Sequence, residues 1–217
     1  MDILTNVSET SNDLCFIMNF FGSDKGHPIN DSNHCYTRFY HELFKPVRYE
    51  PLRVFELGLG TNNLNFPSNM GPNGKPGASL RGWKQYFPNS SVFGADIDSG
   101  ILFQEDRIRT YQCDQNDATS IKTLWSNTEL EEGFNIIIED GLHIFDSNVH
   151  FFENSYHKLK VGGIFIIEDV MYYTLERWNQ KIQEWTARFP NMSFRLYVIP
   201  HERNPHDNTV VIAKRNY

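Results

Sequence analysis

Apolar positions along this chain follow two rhythms. From about residue 50 onward, short strand-like runs alternate with segments in which apolar residues recur every three or four positions. LRVFELGLG (52–60), SSVFGADID (90–98), RIRTYQCDQND (107–117), FNIIIED (134–140) and GIFIIED (163–169) read as strands ending in glycines or acids. Between them, GASLRGWKQYFP (77–88) places Leu80, Trp83 and Phe87 on one helical face. Residues 117–127 read as a helix capped by Asp117, with Ile121, Leu124 and Trp125 inward. Residues 145–163 read as a helix with Val149, Phe152, Tyr156 and Leu159 on one side, closed by Gly162 and Gly163. Residues 174–189 repeat Leu175, Trp178, Ile182 and Trp185. Two last strands, 193–200 and 208–217, have no helix between them and must pair antiparallel at a sheet edge.

Strands alternating with helices predict an α/β fold, a parallel sheet covered on both faces. The unbroken apolar stretches NIIIE and GIFIIE fit strands buried on both sides. The first 50 residues differ. SNDLCFIMNFF (11–21) reads as a helix stopped by GSDKG (22–26), and HCYTRFYHELF (34–44) aligns Tyr36, Phe39, Tyr40, Leu43 and Phe44 along one face. With 217 residues the chain holds one full core, so residues 1–50 are expected to pack as a helical segment of the same domain as 51–217. The long Asn/Gly/Pro segment 62–77 has no periodicity and reads either as a lid or binding loop or as a merely mobile segment.

Composition narrows the partners. A net charge of -7 argues against nucleic acid, whose phosphates need a basic face. No apolar run reaches the length of a membrane span, and the start, MDILTNVSETSND, lacks the basic and apolar regions of a secretory signal, so a cytoplasmic location without membrane insertion is expected. Three cysteines without metal or disulfide spacing read as small buried hydrophobes.

The chemistry sits where strands end. ELGLG (56–60) supplies a glycine turn that lets backbone approach a ligand. The third glycine of a dinucleotide fingerprint is absent, which weighs against a nucleotide-cofactor oxidoreductase, the rival enzyme class. Asp96 ends the second strand, where an acid can accept both ribose hydroxyls, and Asp114 ends the third, near the place of an adenine ring. The fourth and fifth strands end in paired acids, Glu139–Asp140 and Glu168–Asp169, and His143 follows. Carboxylates on adjacent strands ~4.8 Å apart repel, and a hard cation with oxygen ligands removes that cost. The remaining histidines, His27, His34, His150, His157, His201 and His206, have no clear partner in the sequence.

These elements together resemble a class I S-adenosylmethionine-dependent methyltransferase. Within that class, GSDKG followed by YTRFYHELF, then GASLRGWKQYFP, DRIRTYQCDQND and LKVGGIFIIEDV, are similar to the metal-dependent sugar O-methyltransferases that act on macrolide deoxysugars and surface polysaccharides. The resemblance covers roughly residues 20 to 217. It implies a Rossmann-like fold with seven strands in the order 3-2-1-4-5-7-6, strand 7 antiparallel. It places Glu56 and Gly58 at the methionine end of the cofactor, Asp96 at the ribose, Asp114 and Gln115 at the adenine, and Lys25 and Ser79 at the cofactor carboxylate. It places magnesium at Glu139, Glu168 and Asp169, with His143 as general base. The family pattern has Asp-Asp where this chain has Glu139–Asp140, which leaves Asp140 as the alternative ligand. The expected activity is methylation of a sugar hydroxyl by a homo-oligomer. The asparagine-rich composition leans the acceptor toward a bacterial capsule or surface polysaccharide, with a glycosylated natural product as the alternative.

Overall fold

The computed structural model describes residues 11–26, 34–201 and 203–217. Strands β1 (Arg53–Leu57), β2 (Ser91–Asp96), β3 (Gln104–Glu105), β4 (Ile108–Gln112), β5 (Phe134–Glu139), β6 (Leu159–Ile167), β7 (Met192–Val198) and β8 (Thr209–Arg215) form one sheet in the order β3-β4-β2-β1-β5-β6-β8-β7. The core strands β4, β2, β1, β5 and β6 are parallel, and β8 runs antiparallel to both β6 and β7.

Among the described residues the sheet has eight strands, not seven. Seven follow the expected order, and the two-residue β3 joins the edge antiparallel to β4. Arg107, at φ 58°, makes the reversal into β4, and its guanidinium donates to the carbonyls of Phe87, Ser90 and Lys84. Two polar residues cannot generate a periodicity, so β3 leaves no trace in the sequence pattern.

Helices α1 (Asp13–Phe21), α2 (Tyr36–Phe44) and α3 (Ala78–Tyr86) cover one face, and α4 (Ala118–Trp125), α5 (Phe145–Ser155) and α6 (Leu175–Arg188) the other. Alternation along each strand divides the core. Val54, Ile136, Ile138 and Ile166 meet Met18, Tyr40, Leu80 and Trp83, whereas Phe55, Ile137 and Phe165 meet Trp125, Phe151, Phe152 and Trp185. Each such fully buried side chain contributes ~1.5–3 kcal/mol relative to exposure. The N-terminal helices are therefore part of the main core. All three cysteines are buried and free.

One boundary moves. The segment expected as a single helix over 145–163 ends at Ser155, passes through a short 3-10 turn at Tyr156–Lys158, and is already strand at Leu159. Gly162 and Gly163 lie inside β6, not at a helix end, beside a register shift against β5. A Cβ on Gly163 would come 2.8 Å from the Lys160 carbonyl oxygen and 3.0 Å from that of Asn135. Glycine here admits a neighbouring backbone within a strand.

Candidate active site

The carboxyl ends of β1, β2, β4, β5 and β6 open on one cavity of about 860 Å³. This is where an open α/β sheet gathers ligands. The loop 61–77 and the C-terminal end of α1 supply the remaining walls. The loop is internally tied: Asn62 Nδ2 donates to the carbonyls of Gly71 (2.7 Å) and Gly74 (3.0 Å), and Met70 N donates to Thr61 O (2.9 Å).

Gly58 leaves β1 at φ 88°, and a Cβ there would lie 1.9 Å from the Asp140 carbonyl oxygen. Only glycine permits this contact between two strand ends. Asp96 is held at the end of β2, its Oδ2 accepting from Leu59 N (2.7 Å) and its Oδ1 from Asp98 N (2.9 Å). Asp114 caps its own turn by accepting from Asn116 N. Gln115 bridges the ends of β4 and β5: its Nε2 donates to Glu139 Oε1 (3.1 Å) and its Oε1 accepts from Leu142 N (2.8 Å). Gly58, Asp96, Asp114 and Gln115 all line the cavity.

Strand alternation sorts the acids onto different faces. Glu56, Asp140 and Glu168 share the parity of Val54, Ile138 and Ile166 and turn toward α1–α3. There they surround Lys25, which is only 2% exposed. Its Nζ donates to Asp140 Oδ2 and Glu168 Oε2, and Glu56 Oε1 stands at 3.6 Å. Burial lowers the pKa of a lysine, but these three carboxylates outweigh it and hold the Lys25 ammonium well above its ordinary value. Glu56 also accepts from Ser79 Oγ (2.6 Å) and Trp83 Nε1. Glu56, which the resemblance implies at the methionine end of a cofactor, is fully buried and does not line the cavity. Lys25, expected at the cofactor carboxylate, has its ammonium committed to protein carboxylates instead.

Glu139 shares the parity of Ile137 and faces the opposite layer, bound to Gln115 and the Gly141 amide (3.2 Å). Burial pushes its carboxyl up to about 7. Glu168 has both oxygens engaged, Oε2 by Lys25 and Oε1 by the Tyr40 hydroxyl (2.6 Å), and burial pushes it to about 7 as well. The expected metal trio Glu139, Glu168 and Asp169 therefore does not converge. Asp140 and Asp169 do, together with His143.

Asp140 uses Oδ2 on Lys25, which leaves Oδ1 toward His143 Nδ1 at 4.0 Å. Asp169 uses Oδ1 on the Tyr36 hydroxyl (2.7 Å), which leaves Oδ2 toward His143 Nδ1 at 3.6 Å. Burial raises both carboxyls. For Asp140 it prevails and the pKa lies well above the usual range; for Asp169 the neighbouring His143 and His34 and the Tyr36 hydroxyl outweigh it and the pKa is lowered. His143 (φ 60°) and Asp169 (φ 53°) are two of three non-glycine residues with positive φ among the described residues. Such backbone costs ~1–3 kcal/mol and persists where surrounding structure over-determines it.

Three partners escaped the sequence reading. Tyr36 and Tyr40, one turn apart on α2, were legible only as an apolar face, yet their buried hydroxyls hold Asp169 and Glu168. His34 stacks on Tyr36 and brings Nε2 to 3.6 Å from Asp169 Oδ1, with Asp207 of the closing loop at 3.9 Å from its Nδ1. Trp83 is fully buried, as its place on the helical face implied, and Tyr172 and Tyr173 are exposed. His27 lies outside the described residues.

The donors suit a hard divalent cation: two carboxylate oxygens not engaged by Lys25 or Tyr36 come together where Asp140 and Asp169 line the cavity. Comparison with solved structures gives the fold. The MycE methyltransferase of the mycinamycin pathway, in complex with Mg, SAH and mycinamycin VI, superposes at TM-score 0.69 with 25% identity, covering 96% of this chain and 56% of that one. In sequence, the 8-demethyl-8-(2-methoxy-alpha-L-rhamnosyl)-tetracenomycin-C 3'-O-methyltransferase of Streptomyces olivaceus is 33% identical over 137 residues, 63% of this chain and 32% of its own length. The mycinamicin VI 2''-O-methyltransferase of Micromonospora griseorubida is 32% identical over 160 residues, 72% of this chain and 33% of its own. This chain is a relative of the sugar O-methyltransferases. It spans about a third of the length of the curated relatives it matches. No protein-family model matches it. Among the described residues, no helix is long and apolar enough to cross a membrane.

Proposed function

We propose that this chain transfers a methyl group from S-adenosylmethionine to a sugar hydroxyl of a glycosylated natural product, using magnesium held by Asp140 and Asp169 and His143 as general base. The observation that carries the proposal is the convergence of the two open oxygens, Asp140 Oδ1 and Asp169 Oδ2, beside His143 in the lining of the cavity. Lys25 ties Asp140 to Glu168. The relatives named above act on rhamnosyl-tetracenomycin and mycinamicin VI, which favours a glycosylated small molecule over the capsule acceptor expected from composition.

Bound magnesium supplies positive charge that makes an adjacent hydroxyl more acidic. The chain supplies the rest. Asp169 Oδ2 faces His143 Nδ1, so the proton belongs on Nδ1 and Nε2 is left to accept the hydroxyl proton. General-base help of this kind is worth ~10²–10⁴ in rate. Gly58, Asp96, Asp114 and Gln115 wall the cofactor side of the cavity and orient a nucleoside there. Holding the nucleophile roughly 3 Å from the methyl carbon supplies much of the remaining acceleration.

The test is mass-spectrometric detection of methylated product from candidate glycosides with S-adenosylmethionine and magnesium, with and without chelator. Turnover should vanish with chelator and should fall ~10²–10⁴-fold in His143→Ala. Chelator-insensitive methylation would overturn the metal, and undiminished turnover in His143→Ala would overturn the base.

A further inference from the structure

The cavity needs a counter-charge for the amino-acid end of the proposed cofactor, and the lysine first expected there is spent. A ligand carboxylate brought to Lys25 would meet Asp140, Glu168 and Glu56 around the same ammonium. Lys75 also lines the cavity, from the 61–77 loop. It has no ion pair or hydrogen bond from its ammonium among the described residues.

Its position is built rather than incidental. Gly22 closes α1 at φ 84°, and the Lys75 stem lies across it: a Cβ on Gly22 would come 2.7 Å from Cδ, 3.2 Å from Cε and 3.1 Å from Nζ. Glycine at 22 thus serves two ends, the left-handed helix stop and a seat for the lysine. Gly22 and Lys75 meet at the cavity lining, and Ser79, which also lines it, donates to Glu56 of β1. α3 begins at the same lining with no side-chain cap at Gly77, so its partial positive end adds to the lysine's charge.

We infer that Lys75 binds the carboxylate of the amino-acid end of the cofactor, anchoring the 61–77 loop over it, while Lys25 serves the protein's own acids. This rests on the methyltransferase reading above. The test is calorimetric titration of the purified chain with S-adenosylhomocysteine and with 5′-methylthioadenosine, which keeps the nucleoside and thioether but lacks the amino acid. Lys75→Met should weaken S-adenosylhomocysteine at least tenfold and leave 5′-methylthioadenosine unchanged, and Lys75→Arg should restore most of the loss. Lys75 is solvent-exposed, so the variants should fold. Equal weakening of both ligands would mean that Lys75 only shapes the loop and would overturn the inference, as would unchanged binding of S-adenosylhomocysteine. Wild-type protein that binds neither ligand would sink the cofactor reading itself, and this inference with it.

Discussion

Replacing Glu139 with glutamine separates a buried structural acid from a metal ligand. Glu139 is 1% exposed; its Oε1 accepts from Gln115 and Gly141, and its Oε2 has no partner among the described residues. Burial pushes its carboxyl up to about 7, against those two donors, which pull it down. In the unfolded chain a glutamate titrates near ~4.3. Across that window the folded state keeps a proton that the unfolded state has released, so stability falls as pH rises from ~4 to about 7 and is level above. The separation corresponds to ~4 kcal/mol lost by pH 8. Glutamine keeps the acceptor toward Gln115 and Gly141 and does not titrate, though its amide hydrogens are left without an acceptor. At pH 5, where the wild-type acid is also largely protonated in the fold, the variant should therefore lie within ~1 kcal/mol of wild type. At pH 8 it should be ~2–3 kcal/mol more stable. Urea unfolding at pH 5, 6, 7 and 8 with EDTA present measures both. A constant offset between the two proteins over that range would refute the reasoning. Magnesium affinity, titrated separately, should be unchanged in Glu139→Gln and reduced in Asp140→Asn; the reverse pattern would make Glu139 the ligand.

Gly58→Ala places a methyl group against the Asp140 carbonyl at a positive φ, backbone against backbone, and should cost ~3 kcal/mol or more in thermal unfolding. Lys25→Met leaves Asp140, Glu168 and Glu56 without their shared ammonium and should cost ~3–5 kcal/mol at pH 8. That loss should shrink toward pH 5, because Asp140 and Glu168, already raised by burial, take up protons once the cation is gone. Melting curves at the two pH values check it, and an equal loss at both would contradict the electrostatic account.

The fold was largely legible because its signals are local. Apolar runs, three-four periodicity and the Asp117 cap each act within a few residues, and they recover the parallel core, the six α-helices of the described residues and the antiparallel edge. Where a local signal has two meanings, the reading slipped. Gly162–Gly163 after a helical stretch looks like a helix stop, but the helix had ended at Ser155 and the glycines admit the Asn135 carbonyl to β6. β3 has too few residues to signal at all.

By itself the sequence determined that acids and His143 gather at the carboxyl ends of adjacent strands, because topology sends every parallel strand end to one crevice. Which acid faces which layer depended on strand parity, and the strands alone do not say which face the N-terminal helices cover. Only the tertiary structure decided that Asp140 rather than Glu139 stands beside Asp169, and that Lys25, 115 residues from Asp140, is the buried counter-ion. A charge 115 residues away has no local signature; it is placed by helix packing, and it decides which carboxylate oxygens remain open to a ligand.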